Sequence, residues 1–202
     1  MLVVFDLDGT LIDSTQALLA AHDYAFSSMK LPRPSDAAIL ELVGLPLLET
    51  MQTLAPAENA AELARLYSLA YKKTAPEYER LFPGVKALLA KPFRAAVATG
   101  KSQSGAVRAV TRHGLAERFE VVRGGNSVPK PKPHPDLLHA IMAETKNSDL
   151  VMVGDTVYDL EMARAAGVRA VGVSWGHHSV RRLEAFAPVV SSMAELSSFL
   201  GF

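Results

Sequence analysis

The residues best suited to chemistry are acidic and fall in two short runs. The first is Asp6-Leu7-Asp8-Gly9-Thr10-Leu11-Ile12-Asp13-Ser14, directly after the apolar Leu2-Val3-Val4-Phe5. In an extended chain, residues two apart point the same way. Asp6 and Asp8 can then share one side while Leu7 turns inward, and Gly9 permits a sharp exit. Carboxylates this close repel unless a cation or a proton intervenes. The second run, Gly154-Asp155-Thr156-Val157-Tyr158-Asp159, follows the apolar Leu150–Val153 and opens a helix. Asp155 and Asp159 are four apart, on one side of the helix start, where the helix dipole favours negative charge. Each run alone also has a plainer reading, a solvated turn for the first and helix capping for the second. A calcium loop is excluded, because Leu11 stands where that pattern needs glycine. If the two apolar strands are neighbours, Asp6, Asp8, Asp155 and Asp159 converge. Such a cluster calls for a hard cation with oxygen ligands, and Mg²⁺ is the natural candidate.

Two further segments suit an anion. Ala98-Thr99-Gly100-Lys101-Ser102 passes from a strand into a helix, offering a hydroxyl, a glycine and helix N-terminal amides. It superficially matches a nucleotide-binding loop, but the first glycine of that pattern would fall at Ala95, inside a strand. Lys130-Pro131-Lys132-Pro133-His134-Pro135-Asp136 is a stiff loop, each proline holding its predecessor extended. It can fix one lysine against an anion, or serve as a plain connector with solvated lysines.

These pieces need a scaffold that brings strand ends together. Strands are expected over Leu2–Phe5, Arg94–Ala98, Phe119–Val122, Leu150–Val153 and Val168–Val173. Between them, Ser102–His113, Pro135–Thr145 and Thr156–Ala166 read as helices, two of them stopped by Gly114 and Gly167. Alternating strands and helices imply an α/β protein with a mainly parallel sheet covered on both faces, a Rossmann-like three-layer α/β/α core. In such sheets, sites form beyond the carboxyl ends of the strands. One stretch breaks the alternation. From Ser14 to about Arg80 the patterns are all helical, Ala57–Tyr71 among them, punctuated by Pro32, Pro34, Pro46, Pro56 and Pro76. The expected division is residues 1–13 and 81–202 for the core and 14–80 for an inserted helical cap.

Composition bounds the rest. With 202 residues, 49% of them hydrophobic, the chain can bury a sizeable core, and 21 acidic residues balance 21 basic ones. No global field draws it to nucleic acid or a membrane. The absence of cysteine excludes disulfides, thiolate zinc sites and a cysteine nucleophile. No stretch has the length and apolarity to span a membrane, and a cytoplasmic location is expected.

Taken in order, the four segments resemble the haloacid dehalogenase-like phosphohydrolase superfamily. Asp6-Leu7-Asp8-Gly9-Thr10 is similar to its first motif, Thr99-Gly100 to its second, Lys132 in Lys132-Pro133-His134-Pro135-Asp136 to its third, and Gly154–Asp159 to its fourth. The helical insert resembles the family's type 1 cap. Leu81-Phe82-Pro83-Gly84-Val85, Ala96–Ser102 and Ser174-Trp175-Gly176 resemble the phosphoglycolate phosphatase-like branch. The resemblance implies Asp6 as a nucleophile forming an aspartyl-phosphate and Asp8 as general acid and base. It implies Mg²⁺ held by the Asp6 carboxylate, the Asp8 backbone carbonyl and Asp155, with Asp159 behind them. Thr99, Gly100 and Lys132 would hold the phosphoryl oxygens of a small phosphorylated metabolite. Here glycine follows the motif-two threonine where relatives often carry asparagine. A phosphoglucomutase-like isomerase and a non-catalytic phospho-ligand binder are the alternatives. Substrate choice is expected in the insert, around Gly44-Leu45-Pro46-Leu47, with Arg33, Arg65, Lys72 and Lys73 as candidate partners for a substrate carboxylate. His177-His178 reads as a surface loop.

Overall fold

The computed structural model describes all 202 residues. Six parallel strands form one sheet: β1 (Leu2–Phe5), β4 (Arg94–Thr99), β5 (Val121–Gly124), β6 (Leu150–Gly154), β7 (Arg169–Val173) and β8 (Val189–Val190). Two short strands, β2 (Ile12–Asp13) and β3 (Arg80–Leu81), pair antiparallel outside it. The order across the large sheet is β5-β4-β1-β6-β7-β8. β1 therefore lies between β4 and β6, in register Val3 to Ala95 and Val3 to Val151.

The strands are apolar throughout because both faces are covered. Alternate residues go to opposite layers. Val3, Phe5, Ala95, Val97, Val151 and Val153 pack with α5 (Val85–Leu89), α6 (Gln103–Arg112) and α10 (Met193–Phe199). Leu2, Val4, Ala96, Ala98, Leu150 and Met152 pack with α7 (Asp136–Thr145) and α8 (Val157–Ala165). A short α9 (Val180–Leu183) packs its Leu183 against Val157 and Leu160 of α8. This is the three-layer α/β/α arrangement expected from the alternation.

The insert carries α1 (Thr15–Ser28), α2 (Asp36–Glu41), α3 (Leu47–Leu54) and α4 (Ala60–Tyr78). Leu18, Ala21, Ala25 and Phe26 of α1 face Leu63, Leu66, Tyr67 and Ala70 of α4 at helical spacing, in a hydrophobic cluster separate from those against the sheet. The β2–β3 pair ties the two chain crossings together, Ile12 opposite Leu81 and Asp13 opposite Arg80. No helix is long and apolar enough to cross a membrane.

Three details depart from the sequence reading. β5 starts at Val121 rather than Phe119, because residues Ala116–Arg118 coil into a 3₁₀ turn that delays the strand. α4 starts at Ala60, where Asn59 accepts from the Glu62 backbone N–H at 3.0 Å, and it runs on to Tyr78 with Pro76 in its last turn. β8 and the β2–β3 pair are two-residue strands, too short to leave a periodic signal.

Candidate active site

The three central strands deliver their carboxyl ends to one place. Asp6 leaves β1, Thr99 ends β4, and Asp155 follows β6. The Asp6 backbone N–H still bonds to Val153 O at 3.0 Å, so Asp6 is held beside the end of β6. Beyond it the chain turns tightly: the N–H groups of Thr10, Leu11 and Ile12 all donate to Leu7 O. Gly9 takes φ +76, and a Cβ there would overlap the Asp155 carboxylate. A Cβ at Gly176, just beyond the end of neighbouring β7, would do the same. Two glycines thus make a close cradle for one carboxylate.

Asp6, Asp155 and Asp159 are all buried, and one carboxylate oxygen of each lies within 4.8 Å of the others. Asp8 does not join them. Its Oδ1 accepts from Ser14 Oγ at 2.5 Å, and its Oδ2 pairs with Lys101 Nζ at 2.9 Å. The convergence of four acids expected from the sequence is therefore a convergence of three, with Asp8 turned toward the helical insert.

Each acid has its own surroundings. Asp6 Oδ1 accepts from the Leu7 N–H at 2.7 Å and lies 3.1 Å from Lys132 Nζ. Burial pushes its pKa up to about 7, against the opposing pull of Lys132 and with the repulsion of Asp159, Asp155 and Asp8 added. Burial also works against ionised Asp155, but His177 outweighs it and holds that carboxyl below its usual range. Thr10 Oγ1 donates to Asp155 Oδ1 at 2.8 Å, and both the His177 backbone N–H and its Nδ1 lie 2.9 Å from Oδ2. Asp159 Oδ2 accepts from the Thr156 N–H at 3.0 Å and its hydroxyl at 2.7 Å, while Oδ1 takes Lys132 at 2.5 Å. Asp159 is both a helix cap and an anchor for the lysine, so the capping reading was also correct.

Burial by itself lowers the Lys132 pKa, yet Asp159 and Asp6 reverse this and leave it above its usual value. The proline-rich loop places that side chain at 1% exposure, so it is no solvated connector. Three buried carboxylates then face one ammonium and the His177 ring. The donor set is all oxygen and short of positive charge, which fits a hard divalent cation.

Thr99 is buried at the end of β4, and Gly100 follows it against the insert. A Cβ on Gly100 would run into Gly44 O. That explains why glycine stands where relatives often carry a larger residue.

A family model described as haloacid dehalogenase-like hydrolase matches residues 3–173. The chain belongs to this family. Among relatives, it is 37% identical to "Probable phosphatase IndB" of Dickeya dadantii, covering 94% of this chain and 87% of that protein. It is 30% identical to a phosphoglycolate phosphatase of Vibrio vulnificus, covering 96% and 93%. It is also 33% identical to the tyrosine-protein kinase PtkA of Mycobacterium tuberculosis, over 87% of this chain but 62% of that protein. The solved PtkA structure superposes with a TM-score of 0.85 at 30% identity, covering 100% of this chain and 98% of that chain.

In this haloacid dehalogenase-like hydrolase, two residues beside the site sit differently from the sequence reading, and others, Glu41 among them, went unnoticed. His177 and His178 are not a surface loop. His177 packs its ring on Asp155, and His178 is 3% exposed. The Val157 N–H donates to His178 Nδ1 at 3.0 Å, so Nε2 carries the proton that meets Glu41 O at 3.0 Å. Glu41 belongs to the insert, and Tyr158 Oη and Arg182 Nη1 also donate to it, at 3.2 and 2.6 Å. Core side chains thus clasp the end of α2.

A second polar chain links insert and core. Lys101 Nζ donates to Tyr71 Oη at 2.7 Å, and Tyr71 Oη donates to Glu79 Oε1 at 2.5 Å. Arg112 pairs with the other Glu79 oxygen. Burial opposes ionised Glu79, but His113, Lys101, Tyr71 and Arg112 bring its pKa down to about 2. Nothing in the sequence hinted at this, since Tyr71, Glu79, Lys101 and Arg112 are far apart in the chain.

Asp6, Asp8, Thr99 and Gly100 border a cavity of about 150 Å³ between insert and core, with Gly44, Leu45 and Leu47 on the insert side. Lys72 also lines it, but Arg33 and Arg65 do not. Those two pair with Asp23, Asp36 and Glu62 instead.

Proposed function

We propose that this hydrolase is a phosphatase that cleaves a small phosphate monoester through an aspartyl-phosphate on Asp6. The observation that carries this reading is the Asp6 carboxylate, buried at the cavity floor with Lys132 at 3.1 Å on Oδ1 and no protein donor on Oδ2. A carboxylate oxygen attacks phosphorus, the ester oxygen leaves, and Asp8 supplies the proton that makes it an alcohol. Asp8 then takes a proton from the water that hydrolyses the acyl phosphate. The Thr99 hydroxyl, the Gly100 N–H and the Lys132 ammonium hold the phosphoryl oxygens and spread their charge.

Mg²⁺ is the cofactor in this reading, held by Asp6, the Asp8 backbone carbonyl and Asp155, with Asp159 fixing Lys132 behind them. It would supply the positive charge that lets an anionic ester approach a carboxylate. The buried oxygens of Asp6, Asp155 and Asp159, gathered around the single ammonium of Lys132, support this. Residues 14–80 act as a cap over a core of residues 1–13 and 81–202, with the paired strands β2 and β3 as its two stems. A closed cap excludes bulk water from the reaction.

The test is phosphate release from small phosphomonoesters with Mg²⁺, by the wild type and by Asp6→Asn. The variant should fall to background with an unchanged circular dichroism spectrum, because an amide cannot attack phosphorus. Variant activity within tenfold of the wild type would reject Asp6 as the nucleophile. Turnover only with a bisphosphate activator would point to a mutase.

A further inference from the structure

We propose, resting on the phosphatase reading, that the cavity selects esters whose leaving group is uncharged, and disfavours carboxylated ones such as phosphoglycolate. Leu18, Ile39, Leu42, Val43, Leu45 and Tyr67 line the cavity that Asp6 and Asp8 border, together with polar residues such as Thr50 and Ser68. Leu18, Ile39, Val43 and Tyr67 are themselves packed in the insert, so this surface is fixed rather than adaptable.

The cations around the cavity are committed or remote. Lys101 already serves Asp8 at 2.9 Å and Tyr71 at 2.7 Å. Arg112 is neutralised by buried Glu79. Lys72 and Arg108 have no carboxylate partner, but both are solvent-exposed and so lie at the rim. The one buried polar side-chain atom of the lining without a partner is His22 Nε2. His22 Nδ1 lies 2.8 Å from Leu18 O, an oxygen that only accepts, so Nδ1 holds the proton and Nε2 is a lone pair. An acceptor lone pair repels a carboxylate. A second anionic group held inside would therefore be desolvated against leucine side chains, with the uncommitted cations only at the solvent-exposed rim.

The experiment compares kcat/KM, with Mg²⁺, for 3-methylbutyl phosphate and cyclohexylmethyl phosphate against phosphoglycolate and 3-phosphooxypropanoate. All four release primary alcohols, so differences report on binding the organic part. The apolar esters should lead by roughly tenfold or more, the scale on which apolar pockets discriminate. Leu45→Arg should move the ratio toward phosphoglycolate by about the same factor, and Leu45→Ala should shrink it. Because each ratio is taken within one protein, partial unfolding cancels. Phosphoglycolate or 3-phosphooxypropanoate turned over equally well or better would overturn this inference while leaving the phosphatase intact. A ratio unmoved by both Leu45 variants would also overturn it. No phosphate release from any of the four, nor from p-nitrophenyl phosphate, would overturn the phosphatase reading and this inference together.

Discussion

Lys132 Nζ lies 3.1 Å from Asp6 Oδ1 and, in the same buried pocket, 2.5 Å from Asp159 Oδ1. One ammonium serves two carboxylates that sit in different segments, one after β1 and one in α8. Its loss would strand charge in the core of the site.

Lys132→Met should therefore cost stability as well as activity. Removing one partner of a buried ion pair typically costs about 3–5 kcal/mol. Chemical denaturation in urea should show a loss of that size, and Lys132→Arg should not restore it, since the pocket is full. A loss below about 1 kcal/mol would mean that the carboxylates protonate or rehydrate at little cost.

Metal binding should be visible without any assay of turnover. A ligand that binds only the folded state at about a hundred times its Kd adds roughly 3 kcal/mol. Mg²⁺ should raise the Tm of the wild type, and EDTA should reverse the rise. In Asp155→Asn, the Mg²⁺-dependent rise should be largely lost. An equal Mg²⁺ shift in that variant would remove Asp155 from the metal site.

Much of this arrangement was legible in the sequence, and the reason is local. Asp6-x-Asp8 and Asp155-x-x-x-Asp159 directly follow apolar strands, and the structure sets those strands side by side in the order β4-β1-β6, with their carboxyl ends at the edge where sites gather. Lys132 was legible because prolines flank it. The turning of Asp8 away from the other acids was not, because it depends on Lys101 and Ser14, which only the folded chain brings close. His177 was misread for the same reason: its partner Asp155 lies 22 residues earlier on the neighbouring strand end. Of the apolar cavity lining only the Gly44–Leu47 stretch was legible, because Leu18, Ile39, Val43 and Tyr67 look in sequence like ordinary helix-packing positions.

The acid role of Asp8 predicts a dependence on the leaving group. General acid catalysis contributes about 10²–10⁴-fold. Asp8→Asn should slow phosphorylation of Asp6 by that order with alkyl phosphates, whose alkoxides need a proton. p-Nitrophenyl phosphate should suffer much less in a single-turnover burst, since nitrophenolate leaves unaided. Equal slowing of the two would assign Asp8 a positioning role instead.

The stability of the insert should fall in mild acid because of His22. Its ring is buried between α1 and α4, edge-on to Tyr67 with centroids 4.8 Å apart. Burial lowers its pKa from 6.5 to about 4, against the smaller opposing effect of its bond to Leu18 O. A depressed base binds fewer protons folded than unfolded. Its contribution to stability is thus complete above pH ~6.5 and lost as pH falls from there toward about 4. At about 1.4 kcal/mol per unit, the full loss is roughly 3 kcal/mol, with about 2 kcal/mol gone by pH ~5. Urea titrations of the wild type and His22→Leu at pH values near 7.5 and 5 would measure this. The wild type should lose about 2 kcal/mol more than the variant between them. If both lose the same amount, the acid sensitivity belongs to other groups, and the His22 ring must be gaining a proton or a water without cost.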